Sequence, residues 1–365
     1  MKKTIRTDPI FLGLTLTLLI AGLLILYSSS TVESFKNFNT TTHYFFHQLM
    51  YGAGLGLLGM FVASRIDYHW WQKVIPLLVG FSLLLLILVK IPGIGFSAGG
   101  ATRWIHVGPL FFQPGEIAKL VITMYIAGWI SRKAKLLGNF YYGLLPSIII
   151  TGLFALLILW QPDFGTMLVL ILISMVMFFA AGIELRYFAA LFTLGTLALL
   201  ALIRLEPYRA RRIVTFLNPA LDPQGIGYQI NQALLAIGAG GLWGYGYGLS
   251  RQKHNYLPES LGDSIFAITA EEMGFLRTIV IIALFALLAL RGVHIANKAP
   301  DTFGKLLAVG IVAGISIQAL INIGAIVGLL PLTGIPLPFF SYGSSSLVII
   351  LCEIGIVLNI AKQSK

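Results

Sequence analysis

Tyr208-Arg209-Ala210-Arg211-Arg212 opens a long polar stretch of this chain. The stretch runs through Asn218-Pro219, Asp222-Pro223 and Gly225-Ile226-Gly227-Tyr228-Gln229, then a glycine run from Gly238 to Gly248 and Ser250-Arg251-Gln252-Lys253. It closes on Tyr256-Leu257-Pro258-Glu259-Ser260-Leu261-Gly262-Asp263, where an apolar helix starts. Nearly everything on either side is apolar. Polar chain of this kind between membrane spans is where chemistry is expected, and the spans supply walls free of solvent.

The 365 residues are 57% hydrophobic and 11% charged. A soluble domain carries about 25% charged residues, so the composition excludes an ordinary soluble protein. Apolar runs near 20 residues recur and the two-residue alternation of a membrane barrel is missing, so the spans are helices. Ten are expected, at 9–29, 45–64, 74–92, 114–131, 141–160, 166–183, 187–204, 264–290, 304–329 and 342–361. The fold class is an all-α integral membrane protein with residues 205–263 as a large loop between the seventh and eighth spans. No repeat or soluble segment is visible, so residues 1–365 read as one polytopic domain. The run after Lys2, Lys3 and Arg6 is too long for a signal peptide and reads as a retained first span.

Short-loop Lys and Arg residues set the orientation. One side holds Lys36, Lys90 and Arg103, and the other holds fourteen, among them Arg132, Lys133, Arg186 and Lys298. Both termini are therefore expected in the cytoplasm. The 205–263 loop, 93–113, Gln161-Pro162-Asp163-Phe164-Gly165 and Pro331 to Ser341 then share the outer face. The net charge of +11 is explained by these basic residues beside spans, not by nucleic acid. Lone Cys352 forms no intrachain disulfide. The six histidines have no zinc spacing, and neither a Walker loop nor a GxGxxG fingerprint occurs.

Several groups could carry chemistry. Asp263 at the mouth of the eighth span is either a helix cap or a general base raised by desolvation. Ser260 or Ser264 could cap in its place. Glu116 and Lys119 are three apart on one helix face, as a structural ion pair or as a site where Lys119 receives an anion. Arg103, Arg209, Arg211 and Arg212 suit phosphate recognition or headgroup anchoring. Asp163 is expected to cap the sixth helix. Glu271 and Glu272 lie ~100° apart around the eighth, with Arg277 as a candidate partner. A short interfacial helix is expected at 227–237, with Ile230, Leu234, Leu235 and Ile237 on its apolar face, followed by a tight turn at 238–248.

The motifs resemble those of the SEDS family (shape, elongation, division and sporulation) over nearly the whole chain. They are Gly100-Ala101-Thr102-Arg103-Trp104-Ile105 with Gln113-Pro114-Gly115-Glu116-Ile117-Ala118-Lys119; Gln161 to Thr166; Arg209 to Gly274; and Pro331 to Ser346 with Pro338-Phe339-Phe340-Ser341-Tyr342-Gly343. Gly227-Tyr228-Gln229, Ser250-x-Gln252-Lys253 and Tyr256-Leu257-Pro258-Glu259 look like the division-type (FtsW) pattern more than the elongation-type (RodA). The chain departs at Gly262-Asp263, where the family has Thr-Asp, and at Gly343-Ser344-Ser345-Ser346, where it has Gly-Gly-Ser-Ser.

The resemblance implies a peptidoglycan glycosyltransferase. It would polymerise lipid II, an undecaprenyl-diphosphate-linked disaccharide peptide, at the outer face of the bacterial cytoplasmic membrane. Its partners would be a class B penicillin-binding protein, which is the transpeptidase, and other divisome or elongasome membrane proteins. Asp263 matches the family's essential aspartate, and Glu116 and Lys119 match its charged pair. Substrate binding is expected at Arg103, Glu116, Lys119, Arg209, Arg212, Gln229, Lys253, Glu259 and Ser341. No cofactor is required, although a divalent cation (Mg or Mn) on Asp263 could assist. The other readings are a lipid II flippase and a non-enzymatic division scaffold.

Overall fold

The computed structural model describes residues 8–98, 100–108, 110–134, 138–205, 207–218 and 225–364. Ten helices meet the ten expected spans. They are α1 (Pro9–Phe38), α2 (His43–Ala63), α3 (Tyr68–Leu88), α4 (Pro114–Lys133), α5 (Phe140–Trp160), α6 (Phe164–Ala180), α7 (Leu185–Leu205), α10 (Ile265–Asn297), α11 (Thr302–Ile326) and α12 (Ser344–Gln363). Eight are long and apolar enough to cross a membrane. The other two are α4, which carries Glu116, Lys119, Arg132 and Lys133, and α6, which has 17 residues. The protein is a multi-pass membrane protein.

Burial divides the bundle. Helices α4, α11 and α12 form its centre, with Ile122, Ile126, Leu307, Ile311, Leu351 and Ile354 almost fully enclosed. Helix α7 lies outermost, and none of its apolar window is buried. Asp163 caps α6 by accepting from the Thr166 amide at 3.1 Å.

Two features add to the helical reading. Within the 93–113 segment, a small antiparallel sheet forms from Gly95–Ala98, Ala101–Val107 and Leu110–Phe112 in that order. The polar 205–263 stretch contains helices α8 (Pro207–Leu217) and α9 (Ile226–Gly240).

Helix α9 occupies the expected segment but turns a different face inward. Ile230, Ala233 and Ala236 are buried, whereas Leu234 and Leu235 point outward. Small residues let backbones approach closely, and a side chain at Gly240 would collide with the Ala270 carbonyl of α10.

Helix α10 is broken at Gly274, where φ is 74° and ψ 175°. The glycine run fills the break. The Tyr245 and Gly246 amides donate to the carbonyls of Glu271 and Glu272, both at 3.0 Å, and the Phe275 amide donates to Gly241 at 2.9 Å. The expected tight turn is thus a backbone plug. Gly244 also has a positive φ of 77°, a conformation for which glycine pays no steric penalty.

Candidate functional site

Asp263 sits just before α10. It does not cap the helix, and the residue at the cap position, Ser264, makes no side-chain cap bond either. Instead the Ser264 hydroxyl and the Gln229 amide of α9 reach Asp263 Oδ1, at 3.4 and 3.2 Å. Gln229 also donates to the Ser264 hydroxyl at 3.0 Å. From α11, Asn322 Nδ2 donates to the Asp263 carbonyl at 2.7 Å. The backbone is thereby fixed, and the residue as a whole is half-buried.

Desolvation is the largest influence on that carboxylate. It pushes the Asp263 carboxyl up to about 7; the Glu259 charge adds to the rise, while Arg212 and the Ser264 hydroxyl oppose it. A carboxyl near 7 is poised to remove a proton at neutral pH. Arg212 supplies positive charge beside it and donates through Nη1 to the Leu332 carbonyl at 2.9 Å.

The segment between α11 and α12, residues 331–343, gathers the rest. Ser341 Oγ donates to the Gly262 carbonyl and accepts from the Leu337 amide, both at 2.7 Å. The Tyr342 amide donates to Leu261 at 2.8 Å. Asn322 Nδ2 holds the Ile335 carbonyl at 2.8 Å as well as that of Asp263. Leu332, Thr333, Gly334 and Ile335 line a cleft with Asp263. On its other side the segment lies against Gly165, where a Cβ would stand 2.7 Å from Ile335 and 3.1 Å from the Thr333 carbonyl.

The α4 pair joins this segment from below. Lys119 Nζ is 2.9 Å from Glu116 Oε1 and donates to Gln318 Oε1 at 2.6 Å. Gln318 Nε2 then donates to the Pro336 carbonyl at 3.0 Å, and Ser346 of α12 donates to Glu116 Oε2 at 2.8 Å. Glu116 and Lys119 are buried. Gln318 and Asn322 were missed in the sequence. The signal was present, since a polar side chain within an apolar span is costly and usually has a task.

The remaining expected residues lie elsewhere in the network. Arg103 donates to the Pro162 carbonyl at 2.6 Å and stands 3.9 Å from Asp163. Glu259 is exposed, has a positive φ of 51°, and its carbonyl accepts from the Gly262 and Ser264 amides. The Arg209 side chain lies outside the described residues. Lys253 is buried, 3.0 Å from Glu272 Oε1, and donates to the Gly248 carbonyl at 2.7 Å and to Ser28 of α1. Its ammonium is therefore engaged in joining the loop to α1 and α10. Glu271 accepts from the Ser250 hydroxyl and the Arg251 and Gln252 amides. Arg277, the expected partner of the two glutamates, donates to the Trp243 carbonyl instead, because the glycine plug brings that carbonyl to it.

No group of three His, Cys, Asp or Glu side chains with metal-binding geometry occurs among the described residues. Asp263 offers one carboxylate beside a basic residue. That donor set is no cage, but it fits magnesium, which binds through one or two carboxylates plus substrate phosphates.

The family of cell cycle proteins FtsW, RodA and SpoVE matches residues 9–365. The chain belongs to that family. It is 42% identical to stage V sporulation protein E of Bacillus subtilis, covering 100% of this chain and 99% of that protein. It is 39% identical to a protein of Geobacter sp. named probable peptidoglycan glycosyltransferase FtsW, with coverage of 100% and 99%. Among solved structures it is similar to a chain from work on the coordination of polymerization and crosslinking by a peptidoglycan synthase complex (TM-score 0.81, 29% identical, 98% of each chain). It is also similar to the rod shape determining protein RodA of Thermus thermophilus (TM-score 0.71, 27% identical, 98% of each chain).

Proposed function

We propose that this protein is a peptidoglycan glycosyltransferase that polymerises lipid II. The observation that carries the reading is Asp263. Its carboxyl stands near 7, on a half-buried residue flanked by Arg212, in a chain with full-length relatives that carry that enzyme name.

The chemistry follows from these groups. A sugar hydroxyl is a weak nucleophile, and Asp263 takes its proton as it attacks the anomeric carbon of the donor. The bond from that carbon to the diphosphate breaks, the diphosphate leaves as an anion, and one displacement inverts the centre. A good leaving group needs charge stabilisation more than protonation, and Arg212 faces the developing charge with its guanidinium fork. A magnesium or manganese ion, were Asp263 its ligand instead of the base, would add charge neutralisation at the substrate's diphosphate. Asn322 and Ser341 hold the Gly262-Asp263 backbone, and Gln229 holds the Asp263 carboxylate. The polyprenyl tail stays in the bilayer, which is why such a site belongs at the mouth of a helical bundle.

The Lys/Arg asymmetry supports a site on the outer face of the cytoplasmic membrane with both termini inside. The similar chain of a synthase complex supports a transpeptidase partner of the class B penicillin-binding type. The Ser250-x-Gln252-Lys253 pattern favours a division role. The test is purified protein and partner in liposomes supplied with lipid II, with divalent ions present or chelated. Glycan strands are expected. Lipid II crossing the bilayer without being polymerised would replace this reading with the transporter.

A further inference from the structure

The proposed reaction leaves Glu353 of α12 unused. Its side chain is 9% exposed and lines a cavity deep in the bundle with Glu116 and Lys119 of α4 and Gln318 of α11. Thr123 of α4, Ile173 of α6, Ile311 and Ile315 of α11 and Ile350 of α12 are among the other wall residues. Among the described residues Glu353 accepts no hydrogen bond and makes no ion pair within 4.0 Å. Among the described residues that line the cavity, Glu116 and Lys119 are the only other ionisable groups, because α6 and α11 present apolar residues, glycines and Gln318. Neighbouring Cys352 faces Gly59 of α2.

The cavity therefore holds two carboxyl groups and one ammonium. Lys119 is engaged by Glu116 at 2.9 Å and Gln318 at 2.6 Å. One negative charge is left without a counterion in a setting that tolerates none. We propose that Glu353 and this cavity form a proton-binding site inside the membrane domain, with the carboxyl neutral while Lys119 rests on Glu116 and Gln318.

A metal ion fits poorly. The space holds about one water molecule, too little for the several oxygen ligands a hard cation takes, and the Lys119 ammonium repels a second positive charge. A proton meets neither obstacle.

The site connects to Asp263. When Glu353 releases its proton, the new carboxylate competes for Lys119 with Gln318. Gln318 also holds the Pro336 carbonyl at 3.0 Å, in the segment that positions Asp263. Proton release inside the bundle thus loosens a positioning bond at the outer mouth.

The test uses the full-length protein in lipid nanodiscs. Infrared difference spectra at neutral pH, recorded on an Asp263→Asn background so that the carboxyl near 7 does not contribute, should show a protonated-carboxyl band that Glu353→Gln removes. Replacing sodium by potassium should leave the band unchanged. Hydrogen exchange at the Leu337 amide should accelerate about tenfold in that background as the band titrates away, and less than about twofold once Glu353 is replaced. If Glu353→Gln does not fold, Glu353→Met supplies the same comparison. A background without the band, a band that follows sodium, or a band retained when Glu353 is replaced overturns the proposal. None of these readouts depends on polymerisation, so this proposal and the glycosyltransferase reading fail separately.

Discussion

Two charges act on Asp263 in opposite senses, and their removal should move the enzyme's pH profile in opposite directions. The carboxyl stands at about 7, raised by desolvation and Glu259 and lowered by Arg212. A general base works only when ionised, so the rate should rise as pH rises and reach half its plateau near 7. At pH 6 about one-tenth of the protein is competent, because one pH unit is a factor of ten in the proton equilibrium. Glu259→Gln removes the charge that raises the carboxyl. The midpoint should fall, and activity at pH 6 should rise about two- to fivefold relative to that variant's own plateau. Arg212→Gln removes the opposing charge, so its midpoint should climb by about one unit. Its plateau should also drop, because the proposed mechanism sets Arg212 against the leaving group. The assay is the initial rate of glycan-strand formation from pH 5.5 to 8.5, each rate divided by its plateau, with folding checked at both ends. A flat wild-type profile, or two variants that shift the same way, would refute the reasoning.

Three other outcomes follow from the geometry. Lys253→Met strands the buried Glu272 carboxylate and should cost about 3–5 kcal/mol, read by thermal melting in detergent; adding Glu272→Gln should recover at least half. Gly274→Ala places a Cβ against the backbone of Trp243 and Gly244, at a φ of 74°, and should cost at least about 2 kcal/mol in the same measurement. Asp263→Asn should be stabilising at alkaline pH. The folded carboxyl binds its proton up to about 7 against 3.8 unperturbed, so its contribution is present below the unfolded value and is lost as pH rises through 7. The loss is at most about 4 kcal/mol, and partial exposure reduces it. The variant's melting advantage should therefore widen from pH 5 to pH 8.

The ten long helices, eight of them long and apolar enough to span, were legible because apolar runs near 20 residues have few other uses. Asp163 was legible as a cap, since its role is decided within three residues. What stayed hidden depends on contacts distant in the chain. Gly274 reads as one more residue of an apolar helix, and only the plug from Gly241 to Gly246 makes it a break. The contacts of Lys253 with Ser28, 225 positions away, and with Glu272 leave no trace in the local sequence. The 331–343 segment could be read as an outer loop, though not as the piece that touches Gly165, Gly262 and Gln318 together. Glu116 and Lys119 were noticed as charges in a span. The same rule, extended to uncharged polar residues, would have found Gln318 and Asn322. Residues 95–112 escaped because three short strands among spans leave no periodic signal long enough to read.

In the proposed mechanism Asp263 removes the acceptor proton. The most direct test compares wild type with Asp263→Asn, each bound to its transpeptidase partner, in lipid II polymerisation at pH 7.5. Asparagine keeps the size and the Gln229 contact while abolishing the base. A folded, partner-bound variant slowed by about 10² or more is the predicted result. Polymerisation within about threefold of wild type, well short of the loss expected for a missing base, would contradict the account and move the search for the base to another residue.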